Sequence, residues 1–199
     1  MIVVEAAGNG AQDLDDKLYD TPDPGFQANW QNPFRRGKRD SGAVLVGAGA
    51  PPLGTHNRSL YGPDRSRLDF SNYGSALDAQ GWGREVTTLG YGDLHAGNED
   101  RWYTDEFSGT SSASPIIVGA LACLQGIRRA QGQAPLTPAQ ARDLLRKTGS
   151  PQQAGPNAPV TERIGNRPDL KALVAALGTI AKPVVAAAPR AKRRVKQSS

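Results

Sequence analysis

Short apolar runs separated by long polar connections dominate the first hundred residues. Residues 2–7 and 43–48 are apolar runs of strand length, bounded by glycine or proline. Runs of this kind are typical of parallel strands that are buried on both faces of a sheet. We therefore predict buried strands joined by extended surface segments. Those segments are two polar connections, 11–41 and 53–67, a stretch of short strands and turns, 68–92, and a loop, 93–106.

Helical patterns fill the second half of the chain. Residues 111–131 are apolar on all sides, which predicts a buried helix. Thr137 and Gln140 have the spacing of a capping box, with proline at the first helical position, and Gly149 is suited to end that helix. A last helix is predicted over 168–177. Buried strands followed by helices indicate an α/β fold.

The turn that precedes the first helix offers candidate chemistry. Residues 107–115 are Phe-Ser-Gly-Thr-Ser-Ser-Ala-Ser-Pro, which places Ser111 at the helix N-terminus. Unpaired N–H groups and the positive end of the helix dipole stabilise negative charge there. This position suits a serine nucleophile whose reaction passes through an oxyanion. The alternative is a serine-rich N-cap on an ordinary buried helix.

A second candidate lies at the end of the first predicted strand. Asn9 stands between Gly8 and Gly10, directly after the apolar run 2–7. Ligand sites form at the carboxyl ends of parallel strands, and a sharp turn there leaves the Asn9 amide free to donate. Asn9 and Ser111 together therefore make a candidate oxyanion site. The alternative is a plain Gly-Asn-Gly turn.

Together these motifs resemble the subtilisin-like serine peptidases. The nucleophile motif of that family is matched at Gly109-Thr110-Ser111, followed by Ala113 and Pro115, and the oxyanion segment is matched at Ala6-Ala7-Gly8-Asn9. The resemblance covers roughly residues 1–177, with every match in the family's order. Further matches are 42–48, 70–75 and 136–145.

The resemblance implies a fold, a reaction and a set of roles. It implies a three-layer α/β fold with a mainly parallel sheet, subtilisin-like and incomplete at its N-terminal side. It implies an endopeptidase that cleaves peptides or proteins, with Ser111 as the nucleophile and Asn9 in the oxyanion hole. The implied substrate-binding residues are Ala6, Ala7, Gly8, Gly109 and Thr110.

The same resemblance exposes missing parts. In the family, the catalytic Asp and His precede the oxyanion segment, whereas His56 and His95 both follow Asn9 and lie in predicted surface loops. We therefore expect the catalytic base to lie outside this chain, and the isolated chain to be poorly active.

Two rival hypotheses stay open on the sequence. The sedolisin-like peptidases share the Ser-Gly-Thr-Ser turn, but they carry an aspartate at the oxyanion position where this chain has Asn9. A catalytically dead peptidase fold that acts as an interaction module is the alternative from another functional class. The presence of both Ser111 and Asn9 argues against that module.

Charge separates the chain into two parts. The net charge is +5, and the segment 182–199 alone holds six basic and no acidic residues, so the remainder is close to neutral. We predict a peptidase-domain portion over 1–181 and a basic disordered tail over 182–199. The basic tail is the only feature that suggests nucleic acid, and we expect no nucleic-acid partner.

The remaining features give weaker expectations. Cys123, the single cysteine, lies in the apolar helix and is predicted to be a small core residue. We expect no cofactor. Asp13, Asp15 and Asp16 are clustered carboxylates, which can bind structural calcium, but they lack a spaced ligand pattern, and a solvated acidic loop is the favoured interpretation. The sequence contains no apolar run of about 18 residues, so we expect no membrane partner. No signal peptide is visible either, although the resemblance implies secretion of full-length family members.

Overall fold

A three-stranded parallel sheet organises the computed structural model, which describes residues 1–58, 61–95, 97–178 and 180. The strands are β1 (Val4–Ala6), β2 (Val44–Gly49) and β3 (Ala79–Trp82), in the spatial order β1-β2-β3. Val4 lies opposite Val44 and Val46 opposite Ala79. The predicted basic tail, 182–199, lies outside the described residues.

Three helices cover one face of this sheet. They are α1 (Thr110–Ala130), α2 (Pro138–Lys147) and α3 (Leu170–Leu177). The predicted capping box of Thr137 and Gln140 is present at the start of α2. The shared core of this face comprises, among others, Val44, Val46, Ala79, Ile117, Leu124, Leu145 and Leu173.

The opposite face of the sheet is covered by irregular segments. Leu45 and Leu77 pack there against Leu14 and Ile164, with Phe34 of the long polar connection beside them. Alternate residues along β2 therefore serve two different cores, as the period of a strand requires.

A buried carboxylate fastens this polar connection to the body. Asp78 is 0% exposed, and its oxygens accept hydrogen bonds from Arg36 at 2.8 Å and Arg146 at 3.1 Å. The N–H of Leu45 donates to it at 2.9 Å. We call Asp78, Arg36 and Arg146 the Asp78 cluster; it stands at the amino end of β3.

An antiparallel hairpin leads into α1. It consists of β4 (Val86–Leu89) and β5 (Tyr103–Phe107). The prediction of a loop over 93–106 was wrong where β5 begins, because Thr104 and Asp105 are buried polar residues that leave no apolar signal.

Two burial predictions were also wrong. β1 is an edge strand, with Glu5 and Ala6 exposed, rather than a strand buried on both faces. α1 buries only one face, so that Val118 is 50% exposed and Cys123 is exposed instead of lying in the core. An apolar composition does not reveal which side of a helix is covered.

The length and composition of α1 would also allow it to cross a membrane, contrary to the expectation from the sequence. The core helix of a soluble protein meets the same criterion, so this is weak evidence. In the described fold, the buried face of α1 packs on the sheet through Ala113, Ile117 and Leu124.

Candidate active site

The start of α1 is fastened to the carboxyl end of β3. The N–H of Gly109 donates to the carbonyl of Gly83 at 2.9 Å. The hydroxyl of Ser112 donates to the carbonyl of Trp82 at 3.0 Å and to that of Gly109 at 2.8 Å. A Cβ at Gly81 would lie 2.3 Å from the Ala113 carbonyl oxygen, so only glycine allows this approach of helix and strand. The helix N-terminus is therefore held in a fixed place at the sheet edge.

Ser111 lies in the first turn of this helix and is exposed. Within the described residues, neither its hydroxyl nor its N–H has a hydrogen-bond partner. An N–H of the first helical turn has no partner inside the helix and points along the dipole. Ser111 thus presents a hydroxyl and a backbone donor to solvent at one helix end.

Asn9 contacts the residue directly before Ser111. The amide oxygen Oδ1 of Asn9 accepts a hydrogen bond from the Thr110 N–H at 2.9 Å and from the Thr110 hydroxyl at 3.0 Å. A backbone N–H can only donate, so the amide oxygen must face Thr110. The Nδ2 group of Asn9 therefore points away from Thr110, and among the described residues it has no acceptor.

The turn around Asn9 is joined to α1 by a further bond. The N–H of Gly8 donates to the Thr110 hydroxyl at 3.1 Å. Thr110 is 1% exposed, so its side chain serves as a buried link between the two segments rather than as a surface for a substrate. We name residues 7–12 the Asn9 loop. Because Gly8 and Thr110 are about a hundred residues apart, no local sequence pattern indicates this link.

The predicted pocket residues have different environments. Ala7 is buried and packs in the core beneath the sheet, with its N–H donating to the Val46 carbonyl at 2.9 Å. Ala6 is exposed at the end of β1, and Gly8 is half-buried with a φ of +95°. Gly109 has a φ of +102°, and a Cβ there would lie 3.2 Å from Asn9 Nδ2. Gly109 is buried, so among the predicted substrate-binding residues that the structure describes, Ala6 and Gly8 have accessible surface beside Asn9.

Both histidines lie beside the β4–β5 hairpin. The ring nitrogen Nδ1 of His56 is 3.7 Å from a carboxylate oxygen of Asp105, and Nε2 is 3.3 Å from the Thr87 hydroxyl. Nδ1 of His95 is 3.0 Å from the Arg101 carbonyl. Neither ring contacts Ser111 in the part of the chain that the structure describes.

Acidic side chains in two places have the chemistry of cation ligands. Asp15 accepts hydrogen bonds from Ser75, and Asp16 accepts one from Leu18, so these carboxylates face different partners. Asp13 accepts a hydrogen bond from the Asp15 N–H at 2.9 Å, so the three carboxylates each face a different partner. The expectation that no cofactor is bound stays a prediction.

The second acidic group consists of Asp93, Asp105 and Glu106, whose oxygens lie within 4.8 Å of one another. Arg58 donates to Asp105 at 2.6 Å and lies 3.3 Å from a Glu106 oxygen, so two of these carboxylates already have a cationic partner. The hydrogen bond to Asp105 raises the pKa of Arg58. A hydrogen bond from Thr104 lowers the pKa of Asp93.

Comparison with known proteins supports one family. The sequence model of the subtilase family matches residues 1–167. A relative named subtilisin-like protease 6, from Arthroderma gypseum, is 39% identical over 69 residues, which cover 35% of this chain and 15% of that protein. The protein of the same name from Trichophyton soudanense is 38% identical over 69 residues, with the same coverage. The matched stretch is therefore a small part of these curated relatives.

Solved structures give the fold. The self-cleaved protease domain of PatA is similar with a TM-score of 0.55 and 21% identity, covering 90% of this chain and 51% of that one. A lanthipeptide protease is similar with a TM-score of 0.51 and 17% identity, covering 88% and 50%. The chain thus spans about half the length of these structures. They confirm the predicted three-layer α/β fold of the subtilisin type.

The family match extends over most of the chain and includes both the Asn9 loop and the Ser111 turn. It favours the subtilisin-like interpretation over the sedolisin-like rival, as Asn9 had suggested. The chain belongs to the subtilase family of subtilisin-like proteases.

Proposed function

We propose that this chain supplies the nucleophile and the oxyanion-binding groups of a serine endopeptidase. In this proposal, Ser111 Oγ attacks the carbonyl carbon of a peptide bond, and the carbonyl oxygen takes up the negative charge. The Ser111 N–H and Asn9 Nδ2 donate to that oxygen. The proposal depends most on the bond from the Thr110 N–H to Asn9 Oδ1, at 2.9 Å. This bond occupies the acceptor side of the Asn9 amide and leaves its donor side free. The bond from the N–H of the preceding residue, Gly8, to the Thr110 hydroxyl holds the same turn.

The attack requires a base, because a serine hydroxyl is a weak nucleophile by itself. We propose that a histidine outside the described residues takes the Ser111 proton as the new C–O bond forms. The same histidine then protonates the leaving amine as the C–N bond breaks, which leaves an acyl ester on Ser111. Water attacks that ester with the same histidine as base, releases the acid product and restores the Ser111 hydroxyl.

The chain alone retains only the oxyanion contribution in this scheme. In subtilisin, an intact oxyanion hole and binding site keep a residual rate of about 10³–10⁴-fold over water when triad members are removed. We expect the purified chain to hydrolyse a fluorogenic peptide at such a residual level and to react weakly with a serine-directed fluorophosphonate. Addition of a polypeptide that carries the family's Asp and His segment should restore both.

Ser111→Ala is the control for this experiment. It should abolish labelling and restored turnover without lowering the melting temperature, because the Ser111 hydroxyl has no partner among the described residues. In subtilisin, loss of the nucleophile costs about 10⁶-fold in kcat. Strong labelling of the chain alone, lost in Ser111→Ala, would place the base inside this chain. Restored turnover that survives Ser111→Ala would reject the proposed function.

One observation favours the interaction module as a second candidate. The outer face of α1 is apolar and exposed, with Ile116 at 36% and Val118 at 50%. Exposed apolar surface on a helix is suited to a protein partner. Tight binding of a partner that Ser111→Ala leaves unchanged, together with no turnover in any assembly, would favour this candidate.

A further inference from the structure

The Asn72 side chain is directed entirely at the Asn9 loop. Its Nδ2 donates to the Ala7 carbonyl at 2.8 Å. Its Oδ1 accepts from the N–H of Gly10 at 3.1 Å and from that of Gln12 at 2.8 Å. The backbone N–H of Asn72 also donates to the Gly8 carbonyl at 3.0 Å. Four hydrogen bonds from one residue therefore bracket Asn9 on both sides.

The Asn9 loop needs such an external support. After Ala7 it forms no strand or helix of its own, so its backbone groups pair with neighbouring segments. Apart from Asn72, these partners include the Phe70 carbonyl, which accepts from the Ala11 N–H at 2.8 Å, and the Tyr73 N–H, which donates to the Gln12 carbonyl at 3.0 Å. Gly8 has a φ of +95° and Ala11 a φ of +54°, and the left-handed region is unfavourable for alanine. A Cβ at Gly8 would lie 2.7 Å from Asn72 Nδ2, so the glycine makes room for this side chain. The loop conformation is thus imposed from outside.

Asparagine is the side chain that these contacts require. Two backbone N–H groups demand an acceptor, and one carbonyl demands a donor, at opposite ends of the same short side chain. Aspartate would keep the two acceptor contacts and place an oxygen against the Ala7 carbonyl. Alanine would remove all three side-chain bonds and leave the Gly10 and Gln12 N–H groups to water.

We propose that Asn72 is a positioning residue for the peptidase reaction: it fixes the backbone of the Asn9 loop so that Asn9 Nδ2 is presented beside Ser111. The inference rests on the proposed function for its catalytic consequence. The hold on the loop itself is a separate consequence that can be measured without turnover.

A neighbouring residue provides a matched control. Ser71 is 0% exposed, and its hydroxyl accepts from the Ala48 N–H at 3.0 Å and donates to the Asn72 carbonyl at 2.9 Å. Ser71 therefore supports the same segment against β2 without touching the Asn9 loop. Ser71→Ala should reduce stability and leave the loop order and kcat unchanged.

The first test is amide hydrogen exchange on the purified chain. Asn72→Ala should speed exchange at the Gly10 and Gln12 amides at least tenfold relative to the sheet amides of β2. Asn72→Asp should restore protection at both amides because it keeps their acceptor. Unchanged exchange at Gly10 and Gln12 in Asn72→Ala would overturn the proposal, and so would an equal increase in Ser71→Ala.

The second test is a double-mutant cycle in the assembly with restored turnover. Asn72→Ala should lower kcat about tenfold with KM changed less than twofold, and should lower it no further in an Asn9→Ala background, since the two act through one group. A full additional loss in that background would show that Asn72 does not act through Asn9. If Asn9→Ala leaves kcat unchanged while exchange still responds to Asn72→Ala, the oxyanion role fails and the hold on the loop stands.

Discussion

Polar side chains at the two ends of β3 differ in how fully they are hydrogen-bonded. At the amino end, Asp78 is fully buried, and both of its oxygens accept hydrogen bonds, from Arg36, Arg146 and the Leu45 N–H. At the carboxyl end, the turn into α1 is held by backbone bonds and by Ser112. There the Ser111 hydroxyl and the Asn9 Nδ2 group have no partner in the described part of the chain.

This contrast separates groups that hold the fold from groups that are free for a substrate. A buried charge is tolerable only when it is paired and hydrogen-bonded, so the Asp78 cluster is saturated. Exposed donors are solvated until a ligand displaces the water. Changes to the Asp78 cluster should therefore alter stability without altering kcat. Changes to the Ser111 hydroxyl or the Asn9 Nδ2 group should alter kcat without altering stability.

The largest effect on stability is expected from Asp78→Asn. The substitution keeps the volume of the side chain but leaves the Arg36 and Arg146 charges beside a neutral group, and breaking a buried ion pair costs about 3–5 kcal/mol. Urea unfolding of the purified chain measures the loss. A loss below about 1 kcal/mol would show that the cluster is not the fastening that its burial indicates.

Asp143→Asn is the control, because Asp143 lies on α2, the helix that carries Arg146. Asp143 pairs with Lys147 at 2.7 Å, and both side chains are more than half exposed. An exposed pair of this kind contributes about 0.3–0.5 kcal/mol at most. The comparison of the two aspartates therefore isolates the effect of burial.

A smaller effect, on kcat alone, is expected from Asn9→Asp. The variant keeps Oδ1 and its two bonds from Thr110, and it replaces only the free Nδ2 donor. In the assembly with restored turnover, kcat should fall about 10²–10³-fold, the magnitude known for removal of an oxyanion donor in subtilisin. KM and the urea midpoint should change little. A matching rise in KM with kcat intact would instead assign Asn9 to substrate binding.

Local sequence patterns predicted the elements that carry their own signals. The capping box of Thr137 and Gln140 lies within four residues and was confirmed, as were the two apolar runs that became β1 and β2. The contact of the Asn9 loop with the Ser111 turn followed from the family's motifs rather than from any local pattern. The roles of these residues stay predictions.

Long-range polar contacts were not predictable in the same way. Asn72 lies 65 residues from Ala7, and no pattern in the sequence around Asn72 indicates a partner at that distance. β5 escaped notice because its buried residues, Thr104 and Asp105, are polar and satisfied by neighbours that the sequence does not identify. Cys123 was placed in the core because an apolar helix does not reveal which of its faces is covered.

The smallest effect is expected at the capping box of α2, whose neutral polar groups are hydrogen-bonded and lie far from the site. It tests whether such groups, like Asp78, affect stability but not kcat. Thr137 accepts from the Gln140 N–H at 3.2 Å, and the Gln140 side chain accepts from the Thr137 N–H at 3.0 Å. Thr137→Ala should lower the free energy of unfolding by about 1 kcal/mol, and Thr137→Ser, which keeps the hydroxyl, by only a few tenths. Neither should change kcat, because α2 contacts the sheet through β2 and, among the described residues, forms no hydrogen bond with the Asn9 loop. Equal losses in both variants, measured by urea unfolding, would mean that the Thr137 methyl group matters more than its hydrogen bond. A change in kcat would mean that the separation between groups that hold the fold and groups reserved for the substrate is incomplete.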